Sequence, residues 1–454
     1  MMTAITPNYT DTLVAFIYRT RGPWSPEITK SVNQVVLGYA AAAAHGWQDP
    51  VWQNIRKGLS LRWNTGPHWC VGQKERLEIR DAVFLNAIAG NAQDFDDTHV
   101  PTIIHPCSII LPVVMAVAQE KKSTSEDMIR SILMGYEVMC RLGKSVHPEH
   151  YQKGYHITAT CGVIGAAVSA ALLMNLNELE IRNAIAIATG QASGLIENLA
   201  TQAKAFAVGA AARDGIMAAE FAQQGLLGPA DPLGGKYGFM RVLCSKPDTE
   251  QLILDLGKRW EISNVAYKPY PVGVVLNPVI EAALALRRLS YLDLGEIDKI
   301  EVRGHKLLLQ RTNRPTPEHS IDARLSTQHT VAAAMVQGFI RGSSFSLESL
   351  HQPEIKSLSK KIYMVEDDRL DVESVELILT LRSGDRRHHS TSKGLGSLAN
   401  PMSTQDLAEK LHSGLTGSNV DNRVKALIDK SIKLDSDLMA HNLAQTIAEA
   451  IYPL

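Results

Sequence analysis

Cysteine is scarce in this chain: five residues (Cys70, Cys107, Cys140, Cys161, Cys244) among 454, with no CxxC pair. An odd, widely spaced set excludes a disulfide framework and points to a reducing compartment. A charge excess is missing too, since 46 Lys plus Arg stand against 47 Asp plus Glu. That balance argues against a surface that coats nucleic acid and against an acidic disordered chain. Aromatics reach only 6% while alanine is abundant, a combination that favours close-packed helices over a β-rich fold. No basic start followed by an apolar core opens the chain (MMTAITPNYTDTLVAF), so a signal peptide is not expected. The charge-free stretch from His156 to Asn177 has too short an apolar part to span a membrane and reads as a buried helix. These absences together predict a cytoplasmic protein without membrane or nucleic-acid partners. GxGxxG after a strand, GxxxxGK[ST], GxSxG, HExxH and EF-hand patterns are also missing, which leaves nucleotide and serine-hydrolase chemistry with little support.

What is present is a 45% hydrophobic, 20% charged composition, ordinary for a globular protein with a real core. At roughly 150 residues per domain the length allows two or three domains. From about residue 8 to 265 the pattern is helical. Ser25-Pro26-Glu27 is a helix start, a Ser cap with Pro in the first turn, and Gly46 fits the end of that run. Residues 77–92, 124–142 and 178–190 carry apolar positions at helical spacing. Residues 156–174 and 205–224 are apolar or small nearly all round, as in a helix at the centre of a bundle. After about 258 the character changes. KPYPVGVVLN (268–277) is a stiff connector, 278–288 a helix and 297–304 a half-buried strand. SVELILTL (374–381) and DRRHHST (385–391) read as a hairpin across Ser383-Gly384, with a helix at about 326–341 before them. Helical pattern returns after Pro401, with further helices at 420–432 and 436–451.

The densest polar cluster is Asp94-Phe95-Asp96-Asp97-Thr98-His99, followed by His105-Pro106. Three carboxylates in four residues repel one another unless solvated, protonated or paired. They read either as an acidic helix end or as the edge of an active site. A metal site is disfavoured because no second acidic cluster with suitable spacing stands out, and Pro148 breaks the His147/His150 pair. The four letters also match the DxDD of class II terpene cyclases, but the chain is poor in the aromatics such sites need. His156 stands just before the long apolar helix, where the helix dipole favours a neutral imidazole and a bound anion. It reads as a general base or as a capping histidine. Lys204, among small apolar residues, and Lys268, in YKPYP, are candidate point charges for carboxylates, each weak alone.

Several blocks resemble one family. QDFDDTHVPTIIHPCS (93–108) is similar to the DFDDTH…HPS signature of the MmgE/PrpD family, and YHITATCGVIGAA (155–167) to its HPTATCGVFGAA. KAFAVGAAARDG (204–215), YKPYP (267–271), DARLSTQHTVAAAMVQG (322–338) and NPMSTQDLAEKL (400–411) match in the same order. The family includes 2-methylcitrate dehydratase, cis-aconitate decarboxylase and iminodisuccinate epimerase. The resemblance implies a mainly α fold with an α+β lid. A large all-helical domain would be built from both chain ends (1–265 and 400–454), with the smaller α+β domain (266–399) inserted. It implies a homodimer without metal or cofactor, an active site between the domains, and a small di- or tricarboxylate substrate. Asp94, Thr98, His105, His156, Lys204 and Lys268 fall on family site positions, and His329 where members have Tyr or His. The implied roles are Lys204 and Lys268 as carboxylate clamps, His156 as leading proton-transfer group and His105 as second acid/base. Asp94 would orient a histidine, and Thr98 would donate a hydrogen bond. Asn91, Ala207, Val272 and Asn277 depart from the His, His, Cys and His of the pattern. These departures make a helical protein that binds without turnover one alternative; an epimerase, which shares the first proton-removal step, is the other.

Overall fold

The computed structural model describes residues 8–289, 293–430 and 441–452. The chain folds into two compact units, one of Met1–Ala92, Asp96–Val265 and Thr404–Leu454, the other of Gln93–Phe95 and Ala266–Ser403.

The larger unit is helical. Its start signals act as their residue types dictate. Ser25 accepts the Ile28 N–H ahead of the Pro26–Gly46 helix. Thr124 with Asp127, and Asn177 with Glu180, form capping boxes on the Ser125–Val146 and Glu178–Thr189 helices. The Ile157–Leu173 helix is buried at every position. It packs against the Cys107–Lys121, Ser125–Val146, Glu178–Thr189 and Ala203–Gln223 helices. Apolar residues all round explain that central place, each large side chain contributing about 1.5–3 kcal/mol on burial. Gly215 makes the closest approach possible: a Cβ there would lie 2.3 Å from Ala166 Cβ and 2.9 Å from Val163 O. The Cys107–Lys121 helix is not evident from sequence pattern, because Pro112 sits inside it. The chain end returns to this unit, where the Thr404–Gly414 helix packs on Pro26–Gly46 and Leu443–Ile451 on Cys107–Lys121. Residues 431–440, which hold the start of the expected 436–451 helix, lie outside the described residues.

The smaller unit holds a four-stranded sheet: β1 (Ile297–Gly304), β2 (Ile362–Glu366), β3 (Val375–Leu381) and β4 (Arg386–Thr391), in the order β2-β1-β3-β4. β1 runs parallel to β2 and antiparallel to β3, and β3 with β4 forms the expected hairpin. Ile300, Val302, Leu377 and Leu379 alternate inward to a core shared with the Asn277–Leu289 and Thr327–Gln337 helices. β2 is short and lacks a clean apolar alternation, which hides it in the sequence. Among the described residues no helix is long and apolar enough to cross a membrane, and all five cysteines are free thiols.

Candidate active site

The polar run begins where the apolar Ile79–Asn91 helix ends. Asp94 adopts a left-handed backbone, with φ of 52°. Within the smaller unit its carboxylate faces Lys268, Nζ to Oδ1 3.1 Å, and its carbonyl accepts from the same ammonium at 3.0 Å. Lys268 is 1% exposed, so this carboxylate holds a buried cation. The expected task of Asp94 is to orient a histidine; its carboxylate holds a lysine and also lies within 4.8 Å of a ring nitrogen of His105.

Asp96 and Asp97 belong to the helical unit and are fully buried. Asp96 Oδ2 accepts from Asn91 Nδ2 at 2.7 Å and from Ser108 Oγ at 2.6 Å. Asp97 accepts from the Cys107 N–H at 2.9 Å, at the start of the Cys107–Lys121 helix, and from the Tyr136 hydroxyl at 2.7 Å. Burial pushes the Asp97 carboxyl up to about 6, against these two donors, and the neighbouring charge of Asp96 adds to the rise. His105 Nδ1 lies 2.8 Å from the Asp97 carbonyl and 3.2 Å from Thr98 Oγ1. The His105 N–H donates to Thr158 Oγ1 at 3.2 Å, which ties it to the first turn after His156.

His99, adjacent to Thr98, serves packing. Its Nε2 meets Glu261 at 3.0 Å and its Nδ1 meets the Thr102 hydroxyl at 2.7 Å. Burial lowers its pKa, so a neutral ring donates from Nε2 to Glu261. Burial alone would raise Glu261, but His99 and Lys144, the latter at 2.9 Å, bring it down to about 2.

His156 is the N-cap residue of the Ile157–Leu173 helix and is 4% exposed. Its N–H donates to the Gly194 carbonyl at 3.0 Å, and the Ile196 N–H to the Gly154 carbonyl at 2.8 Å. Gly194 has φ of 133°, and a Cβ there would lie 3.2 Å from His156 Cβ, so glycine lets this segment approach. The same segment leads into the Ala203–Gln223 helix, whose first turn carries Lys204. Beneath His156, His150 stacks on Tyr155 at 4.7 Å and reaches Thr160 Oγ1 at 2.8 Å, and burial lowers it to about 4. It is a packed neutral ring.

The structure thus joins Thr98 with His105, ties His105 to the His156 helix, and pairs Asp94 with Lys268. His329 belongs to the smaller unit, with Nε2 2.8 Å from the Ser344 carbonyl, and burial lowers its pKa. The departures from the family pattern have local partners or neighbours. Asn91 holds Asp96, Val272 fills the core of the smaller unit, Asn277 opens the Asn277–Leu289 helix, and Ala207 lies on the Lys204 helix. The carboxylates of the DxDD letters are engaged by Lys268, Asn91, Ser108, Tyr136 and Cys107, which leaves the terpene-cyclase reading without a feature of its own. These partners include an ammonium at Asp94, where a metal ion would have to compete with it. Sequence reasoning missed Asp96, Asp97, Ser108, Tyr136 and Thr158 as individual contributors. The DFDD run signals the first two, whereas Tyr136 lies among apolar neighbours on a long helix with nothing to mark it.

Two family models match this chain, the MmgE/PrpD N-terminal domain over residues 12–252 and the MmgE/PrpD C-terminal domain over residues 270–434. The chain is similar to cis-aconitate decarboxylase of Mus musculus, 28% identical over 379 residues, 79% of this chain and 76% of the relative. The protein of that name from Homo sapiens is 28% identical over 393 residues, covering 83% and 81%. The one from Aspergillus terreus is 25% identical over 396 residues, covering 80% of each.

Proposed function

This chain belongs to the MmgE/PrpD family, and from that premise we propose that it is a lyase acting on a small di- or tricarboxylate. The observation that carries the reading is the bond from the His105 N–H to Thr158 Oγ1, which links the two imidazole-bearing segments of the helical unit. The names of the relatives favour decarboxylation over dehydration. In that reaction the bond from carbon to one carboxylate breaks and CO2 leaves. The electron pair passes to a carbon conjugated with a neighbouring carboxylate, and an imidazolium proton quenches it. His156 is the leading proton-transfer group and His105 the second acid/base. Lys204 and Lys268 clamp the remaining carboxylates as point charges, Thr98 donates a hydrogen bond, and His329 lines the substrate. Dehydration uses the same groups, with a base removing the proton α to a carboxylate and an acid protonating the departing hydroxyl. A homodimer with a reaction run by side chains alone completes the proposal. Epimerisation needs acid/base groups on two faces, and the apolar or amide residues at 207, 272 and 277 disfavour it.

The test is turnover of a panel of di- and tricarboxylates followed by NMR, on wild type and variants. His156→Ala is expected to lower kcat at least about a hundredfold with folding intact. Lys204→Ala and Lys268→Ala are expected mainly to raise KM. Binding without turnover across the panel would move the protein to a non-catalytic role, and wild-type rates in His156→Ala would remove that residue from the chemistry.

A further inference from the structure

The YKPYP segment gives up two main-chain donors, because Pro269 and Pro271 have no N–H. Pro269 also biases Lys268 towards extended backbone. Lys268 is nevertheless held at 1% exposure, its ammonium on the carbonyl and carboxylate of Asp94. Neighbours within the smaller unit supply that placement. The Gly273 N–H donates to the Arg324 carbonyl at 3.3 Å. Against Tyr267 and Pro269 lies the turn Gly394-Leu395-Gly396, whose two glycines are buried. Gly396 has φ of 87°, and a Cβ there would lie 2.0 Å from the Tyr267 carbonyl oxygen and 2.9 Å from Pro269 Cδ. A Cβ on Gly394 would come within 3.2 Å of Pro278 N. Glycine at both places lets the turn rest on the residues that flank Lys268 and on the start of the Asn277–Leu289 helix.

Two devices hold the turn. Asn400 closes it, its carbonyl accepting the Gly396 N–H at 2.8 Å and its Nδ2 donating to the Lys393 carbonyl at 3.2 Å. Glu281, on the Asn277–Leu289 helix, accepts the Leu395 N–H at 2.6 Å. Leu395 stands between the two glycines that make the contact, so this bond sets how closely the turn meets YKPYP. We propose that Glu281 is a positioning residue for Lys268, acting through the Gly394–Gly396 turn that it anchors against the YKPYP main chain. Any consequence for substrate rests on the reading above in which Lys268 holds a carboxylate; the seating of the lysine does not.

The readout is the rate at which acetic anhydride acetylates Lys268 in the folded protein, resolved by mass spectrometry. Lys144, in the helical unit and paired with Glu261 at 2.9 Å, reports any general loosening. Glu281→Leu strands the Leu395 N–H and is expected to speed acetylation of Lys268 about tenfold, with Lys144 unchanged. Glu281→Gln keeps an acceptor and is expected to stay within about threefold of wild type. An unchanged Lys268 rate in Glu281→Leu overturns the proposal. So does a rise shared by Lys144, or a Gln variant as reactive as the Leu variant. Should Glu281→Leu not fold, Asn400→Ala decides, since that side chain is exposed. It removes one neutral bond from the turn and is expected to speed Lys268 acetylation about threefold, and no change overturns the proposal equally. In Glu281→Leu the KM for a carboxylate that is turned over is expected to rise with kcat little changed, as in Lys268→Ala. Faster acetylation of Lys268 with an unmoved KM would sink the carboxylate-clamp reading and leave the anchoring role of Glu281 standing.

Discussion

Two sets of buried carboxylates sit in the helical unit, and their partners differ in charge. Glu137 and Glu261 face protein cations, Arg141 and Lys144, with Glu137 also accepting the Glu261 N–H at 2.8 Å. Arg141 in turn donates to the carbonyls of Gln251, Leu254 and Arg259. That set closes on itself and fastens the 251–261 segment to the Ser125–Val146 helix. Asp97 instead accepts from a hydroxyl and a backbone N–H, both neutral, and Asp96 accepts from an amide and a hydroxyl. Burial alone therefore does not separate the two sets; the groups that hold each carboxylate do.

The comparison breaks most easily at Glu261. Glu261→Ala strands Lys144 and removes the acceptor of His99, and is expected to cost about 3–5 kcal/mol in denaturant unfolding. A loss below about 1 kcal/mol, the size of an exposed pair, would show that the closed set does not behave as a buried one. Asp97 is expected to respond to pH in the opposite sense to Glu261. Folded Asp97 keeps its proton up to about 6, the unfolded chain only to about 3.9, so stability is lost as pH rises from about 4 to 6. Glu261, held down at about 2, contributes stability above about 4.3 that disappears as pH falls towards 2. Asp97→Asn is expected to abolish the loss between pH 4 and 6, worth about 3 kcal/mol. Unfolding curves across that range check it, and a slope that persists in the variant rules out Asp97 as its source. The smallest effect belongs to Ser108→Ala, which takes one donor from Asp96 and is expected to cost about 1.5 kcal/mol. No change in stability would mean that Asn91 alone suffices to hold that carboxylate.

Helices with a cap signal and a clear apolar spacing are legible in the sequence, such as Pro26–Gly46 and Ser125–Val146, because those patterns are local. The hairpin of β3 and β4 is legible for the same reason. Cys107–Lys121 is obscured by Pro112, whose cost in a helix interior is overridden by packing on all sides. In the site, the apolar run behind His156 is enough to place that residue at a helix start. The division of labour among Asp94, Asp96 and Asp97 is not legible. Three identical side chains in one short run have the same intrinsic chemistry, and only their partners separate them.

The residue pattern alone determined the helical, mixed, helical order of the chain and the family to which it belongs. Periodicity, caps and ordered motifs are properties of neighbours along the chain. The tertiary structure decided which carboxylate meets an ammonium and which accepts from a buried hydroxyl. Those outcomes depend on groups such as Tyr136 and Lys268, up to 174 residues away in sequence, and a charge is tuned by what lies within a few ångströms of it.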